Sequence, residues 1–92
     1  MLDRNWRCSG GEIDLVARRG PTLVFCEVKT RTSTRYGEPF EAVTSAKQTR
    51  IRRLAARWLR ERGAAMAVRP NAIRFDVASV LGPDLQILED AF

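Results

Sequence analysis

From Glu12 to Ala17 the chain alternates, with Ile13, Leu15 and Ala17 on one face and Glu12, Asp14 and Val16 on the other, the period of a strand. Arg18-Arg19-Gly20-Pro21 reads as a turn. Thr22 to Thr30 is strand-like again: Val24, Cys26 and Val28 take one face, and Leu23, Phe25, Glu27 and Lys29 the other. That second face is apolar where the strand begins and charged where it ends. A short strand around Asn5 to Cys8 is expected before both. Residues 31–43 form a long polar connection, of a kind more often functional than idle inside a compact domain. A helix is predicted from about Ser45 to Arg62, opened by Ser45-to-Gln48 capping-box spacing and closed by Gly63 after a basic last turn. Its apolar stripe is Ile51, Leu54, Ala55, Trp58 and Leu59. Ala72 to Leu81 and Leu85 to Leu88 read as two more strands around a Gly82-Pro83-Asp84 turn. The expected order is βββαββ, an α/β layer with a crossover helix.

Length and charge narrow the picture. A chain of 92 residues allows one domain, spanning 1–92, around a small core. No apolar run approaches the roughly 20 residues of a membrane span, and no signal-peptide pattern is present, so a soluble cytoplasmic protein is expected. Cys8 and Cys26 stand in strand contexts and read as reduced structural thiols. A net charge of +5 and a pI near 10.2 favour a polyanionic partner. The sequence has no histidine. Ser-His-Asp and Cys-His catalysis, His-ligated zinc and imidazole general bases are therefore excluded, which leaves carboxylates, Lys, Arg, hydroxyls and thiols.

Hairpin register brings some of these together. If Gly20 and Pro21 form a two-residue loop, Arg19 faces Thr22, Asp14 faces Glu27 and Glu12 faces Lys29. Opposed side chains share a face with Cβ atoms about 4.5 to 5.5 Å apart, so three carboxylates and one ammonium converge at the open end of the hairpin. A three-residue loop would separate Asp14 from Glu27. Adjacent carboxylates need a proton or a cation. With Lys29 supplying one positive charge, the all-oxygen set suits a hard divalent ion such as Mg²⁺. The bland reading is a solvated hairpin face with a Glu12–Lys29 pair and no metal.

The runs NWRCSGGEIDLVA and TLVFCEVKTRTSTRYGEPFEAV resemble the YraN-type family of small bacterial proteins, predicted endonucleases of the PD-(D/E)XK restriction-endonuclease-like superfamily. That superfamily includes archaeal Holliday-junction resolvases. The resemblance extends from about Asp3 to Leu88 and implies a mixed central sheet with a packed crossover helix. In its pattern an Asp and a following Glu-X-Lys form the metal site; they match Asp14, Glu27 and Lys29, and the Val28 carbonyl is the implied further ligand. Ile13 stands where the superfamily name has Pro. The family pattern also begins with a further helix that this sequence starts after, so an uncovered sheet face, with weak stability or self-association as a homodimer, is expected.

By that resemblance the chemistry is hydrolysis of DNA phosphodiester bonds dependent on Mg²⁺ (or Mn²⁺), on duplex or branched DNA. Asp14 and Glu27 hold the ion, and Lys29 orients the water or offsets transition-state charge. Glu12 either positions Lys29 or binds a second ion, with a simple salt bridge as the alternative. Gln48 lies in the apolar stripe near the helix start and is a candidate catalytic residue by resemblance, although capping also accounts for it. Lys47 is either a phosphate contact or a snorkelling surface lysine. Arg31, Arg35 and Tyr36 leave the Glu27–Lys29 strand directly and combine charge with a stacking ring, as a nucleic-acid contact would. Arg50, Arg53, Arg57 and Arg60 are placed on the helix face opposite the sheet and read as a solvated row. Trp6 and Trp58 read as core, and Arg74 with Asp76 as a pair on one strand face. A different class remains open: a non-catalytic, basic nucleic-acid-binding module on the same fold.

Overall fold

The computed structural model describes residues 1–31, 44–63 and 71–92. Strands β1 (Asp3–Cys8), β2 (Gly11–Arg19) and β3 (Thr22–Arg31) precede the helix α1 (Ser45–Arg62), and β4 (Ala72–Leu81) and β5 (Asp84–Leu88) follow it. The five strands form one sheet in the order β1-β2-β3-β4-β5. Neighbours are antiparallel except β3 and β4, which run parallel. A parallel pair needs a crossover, and α1 lies in it. The fold is thus a mixed α/β sheet with one helix packed across it, as the sequence predicts.

Gly20 and Pro21 set the register of the central hairpin. Gly20 has φ +59°. Proline fixes a negative φ at the next position, so only the turn with a positive φ at its first central residue is open to this pair. Arg19 then faces Thr22, and the pairing continues to Leu15 opposite Cys26, as expected. The Pro21 carbonyl accepts from the Asn71 amide at 2.8 Å, tying the turn to the start of β4.

The helix begins one residue earlier than the capping box implied. Thr44, with extended backbone, is the N-cap, and its hydroxyl accepts from the Lys47 amide at 3.2 Å. Ser45 is already inside the first turn, where its carbonyl accepts from the Thr49 hydroxyl. Ile51, Leu54, Ala55 and Trp58 are buried, and Leu59 packs at the margin. Trp58 meets Phe25 edge to face with ring centroids 5.8 Å apart, a contact worth about 0.5–1.5 kcal/mol beyond its burial. Its indole N–H donates to Asp3 at 3.1 Å, which satisfies the one polar atom it buries. Trp6 is buried as well, so both tryptophans belong to the core.

Strict alternation fails at one rung. Ile13 and Val16, three residues apart and on opposite faces by period, both belong to the core cluster under the helix. In β1, Asp3 and Trp6 show the same three-residue step, since Asp3 reaches Trp58 and Trp6 packs in the same core. The β1–β2 ladder passes from Arg4↔Leu15 to Trp6↔Ile13 without a rung between Asn5 and Asp14. Asn5 there has φ +52°, a left-handed conformation that Asn tolerates better than most side chains. Both strands thus slip phase together, as at a bulge. The assignment of Ile13 and Val16 to opposite faces is corrected accordingly.

Candidate active site

The slip decides where Asp14 points. In the observed register the regular acceptor for the Val28 amide would be the Ile13 carbonyl. The Asp14 carboxylate takes that amide instead, Oδ2 to N 2.8 Å. The recorded β2–β3 pairing stops at Leu15↔Cys26, one step short of Asp14 and Glu27. Asp14 therefore stands at the gap where the two strands part, using one carboxylate oxygen and leaving the other.

Glu27 and Lys29 share the helix-side face of β3 with Phe25, whose ring packs on Trp58. The Glu27 carboxylate lies 3.2 Å from the Lys29 ammonium, both side chains being less than a fifth exposed. Parallel pairing places Ser79, a buried polar residue, beside Lys29. The first turn of α1 adds a second amine: Lys47 stands beside Lys29, and a hydrogen bond between the two needs one of them neutral. Burial works against the Lys29 charge, but its hydrogen bonds with Lys47 and Glu27 and the fields of Glu27 and Asp14 outweigh it, so Lys29 is held above the ordinary lysine range. Lys47 is lowered, first by its hydrogen bond with Lys29 and then by that neighbour's charge. The arrangement keeps Lys29 protonated and makes Lys47 the readier of the two to give up a proton.

Hairpin register predicts Asp14 opposite Glu27 on one face; the β2–β3 pairing ends one step before that rung, with Asp14 on the Val28 amide and Glu27 on Lys29. The Glu12 carboxylate faces Arg7, its cross-strand neighbour in β1, at 3.5 Å. Asp14, Glu27, Lys29 and Lys47 gather at this end of the sheet, without Glu12. Among the described residues no group of three His, Cys, Asp or Glu side chains is placed to hold a metal ion. Gln48 is half-buried in the same helical turn as Lys47, and its backbone amide donates to the Thr44 carbonyl at 2.9 Å. Arg31 ends β3; its side chain, and Arg35 and Tyr36, lie outside the described residues. Sequence reasoning left Lys47 at the border of the stripe and missed Ser79. The signal for Ser79 was its place as a polar residue in an apolar strand run parallel to Lys29.

The arginine row also needs correction. Arg50, Arg53, Arg57 and Arg60 do not face directly away from the sheet. They flank the helix beside the β1–β2 turn and, with Cys8 and Gly10, line a groove of about 530 Å³. Arg57 donates to the Ser9 hydroxyl at 3.0 Å and to Glu61 at 2.6 Å. A Cβ on Gly11 would lie 3.4 Å from Leu54 and 3.9 Å from Arg50, and Gly11 has φ +138°. Glycine here lets the turn approach the helix. On the other face of the sheet, Arg74 clasps Asp76 through two hydrogen bonds of 2.8 and 2.9 Å, the expected pair. Cys8 and Cys26 are free thiols.

The mixed five-stranded sheet with its crossover helix is consistent with the restriction-endonuclease-like fold, and no helix among the described residues is long and apolar enough to cross a membrane. The chain belongs to the uncharacterised protein family UPF0102, whose pattern matches residues 1–80. It is 55% identical over 83 residues to a UPF0102 protein of Nocardioides sp. (strain ATCC BAA-499 / JS614), covering 90% of this chain and 64% of that one. A UPF0102 protein of Frankia alni is 59% identical over 83 residues, with 90% and 66% covered. One from Rhodococcus jostii is 50% identical over 97 residues, covering all of this chain and 79% of its own. The chain thus spans just under two thirds of the first two relatives.

Proposed function

We propose that this chain carries the catalytic core of a metal-dependent DNA endonuclease of the PD-(D/E)XK type, cutting phosphodiester bonds in duplex or branched DNA. What supports the reading is the Asp14 carboxylate on the Val28 amide and the Glu27–Lys29 pair on the residues either side of Val28, where β2 and β3 part beside the first turn of the helix. A divalent ion fits this donor set. Mg²⁺ is typically bound by one or two carboxylates with water and substrate phosphate completing its shell, and Asp14 and Glu27 each have one oxygen outside the contacts described above. The Val28 carbonyl would be a further ligand. Bound there, Mg²⁺ or Mn²⁺ would supply Lewis-acid stabilisation of the phosphoryl charge and acidify a water.

The chain's own groups do the rest. Lys29, held protonated beside Glu27, offsets charge that develops on the phosphate oxygens. Asp14 is held in place by the Val28 amide, so it needs no reorganisation on binding. Lys47, beside Lys29 in the first turn of the helix, is placed to contact the scissile phosphate. The experiment is cleavage of plasmid and four-way-junction DNA by this chain and by the longer Rhodococcus jostii relative, in Mg²⁺, Mn²⁺ and EDTA. Cleavage only with metal, reduced at least a hundredfold by Asp14→Asn, Glu27→Gln or Lys29→Ala, is expected. Metal-dependent cleavage that survives these substitutions contradicts the proposal. Salt-sensitive binding with no cleavage by either protein makes it a non-catalytic DNA-binding module.

A further inference from the structure

We infer that the groove between α1 and the β1–β2 turn is a second DNA-contact surface, one that holds the phosphate backbone of a duplex away from the cleavage site. The inference takes only the identity of the ligand from the nuclease reading; the surface stands on its own geometry. Arg50, Arg53, Arg57 and Arg60 line one wall, and Cys8 and Gly10 the other. Arg57 is held by Ser9 and Glu61. Arg50, Arg53 and Arg60 are exposed, and none of them forms an ion pair or hydrogen bond with any described residue. An i,i+4 carboxylate would pair such an arginine, and among the described residues only Arg57 of the four has one, Glu61.

Spacing fits a nucleic-acid backbone. From Arg50 to Arg60 the helix rises roughly 15 Å at 1.5 Å per residue. One strand of B-form DNA presents a phosphate about every 3.4 Å of axis, so about four phosphates match that length. A small anion would need one or two of these guanidinium groups. The row also begins one turn from Lys47, whose lowered pKa includes the field of Arg50. A duplex lying along the groove would therefore continue toward the Glu27–Lys29 end of the sheet. Of the four guanidinium groups, Arg57 is paired with Glu61, and no Asp or Glu lines the groove among the described residues.

The test is equilibrium binding of a 20-base-pair duplex in EDTA, followed by fluorescence anisotropy across a salt series. Each phosphate contact steepens the dependence of log K on log salt by about 0.9. Relative to the unmodified chain, Arg50→Ala/Arg53→Ala/Arg60→Ala should flatten the slope by roughly 2 to 3 and lower low-salt affinity by on the order of tenfold or more. The lysine triple at the same positions should keep the slope. Removing the same charge elsewhere, with Arg4→Ala/Arg7→Ala/Arg19→Ala, should change it by less than half as much. A second readout needs no substitution. Cys8 lines the groove, whereas Cys26 sits on β3 with its side chain on the face away from the helix. Saturating duplex should slow alkylation of Cys8 several-fold and leave Cys26 unchanged. No duplex binding at low salt, equal losses in the two alanine triples, or unprotected Cys8 would each overturn the inference. Free phosphate reproducing the Cys8 protection at millimolar concentration would overturn it in favour of a small-anion site. Because these measurements are made without metal, they stand or fall separately from cleavage.

Discussion

Asp14 sits at the rung with Asn5 that the β1–β2 ladder skips and one step past the end of the β2–β3 pairing, and its carboxylate turns to the Val28 amide. Asp14→Asn keeps an acceptor for the Val28 amide, whereas Asp14→Leu leaves that half-buried N–H unpaired. The Leu variant should lose about 1–3 kcal/mol of stability and the Asn variant much less, read from urea midpoints. Cys26 offers a pH signature. Its thiol is pushed up to about 11 from 9.0, by burial first and by the Asp76 carboxylate next. A thiol protonated more tightly in the folded state contributes stability fully present below pH 9.0 and lost as pH rises through about 11. In the metal-free protein, Cys26 alkylation should therefore reach half its maximal rate near pH 11. At this scale hairpin parity was legible from Arg19↔Thr22 to Leu15↔Cys26, because the Gly20-Pro21 turn alone fixes it. Glu12's turn toward Arg7 and the Ile13/Val16 phase were hidden, because both depend on a local left-handed residue that alternation does not encode.

Elements were the more legible level. The helix spans Ser45–Arg62 and β4 spans Ala72–Leu81, matching the bounds read from periodicity. Long amphipathic runs average over local errors, while a cap rests on one side chain; hence the cap fell to Thr44 instead of Ser45. Thr44→Ala should cost about 1 kcal/mol, whereas Ser45→Ala should change the thermal midpoint little. The arginine row was misplaced for a different reason. A helical wheel gives an angle from the core, but how closely the β1–β2 turn climbs beside the helix depends on Gly10 and Gly11, whose backbone comes against Leu54.

On the scale of the whole molecule, among the described residues one helix packs on one face of a five-stranded sheet. On the other face Leu85 and Ile87 lie opposite Val80 and Ala78, and they are 60% and 58% exposed. Apolar surface of this kind in a chain with a net charge of +5 favours association at high salt, where repulsion is screened. Sedimentation velocity should show concentration-dependent self-association that grows with salt and is suppressed by Leu85→Lys/Ile87→Lys. Fold order was readable from the sequence because each element carried its own period. The exposure of Leu85 and Ile87 was not legible in their alternation, since no local pattern reports what packs on a sheet. The central claim is that Asp14 and Glu27 hold a divalent ion beside Lys29, and Mn²⁺ titration followed by electron paramagnetic resonance tests it most directly. One ion bound per chain, with binding lost in both Asp14→Asn and Glu27→Gln and kept in Glu12→Gln, is the predicted result; equal Mn²⁺ binding by all four proteins would contradict it.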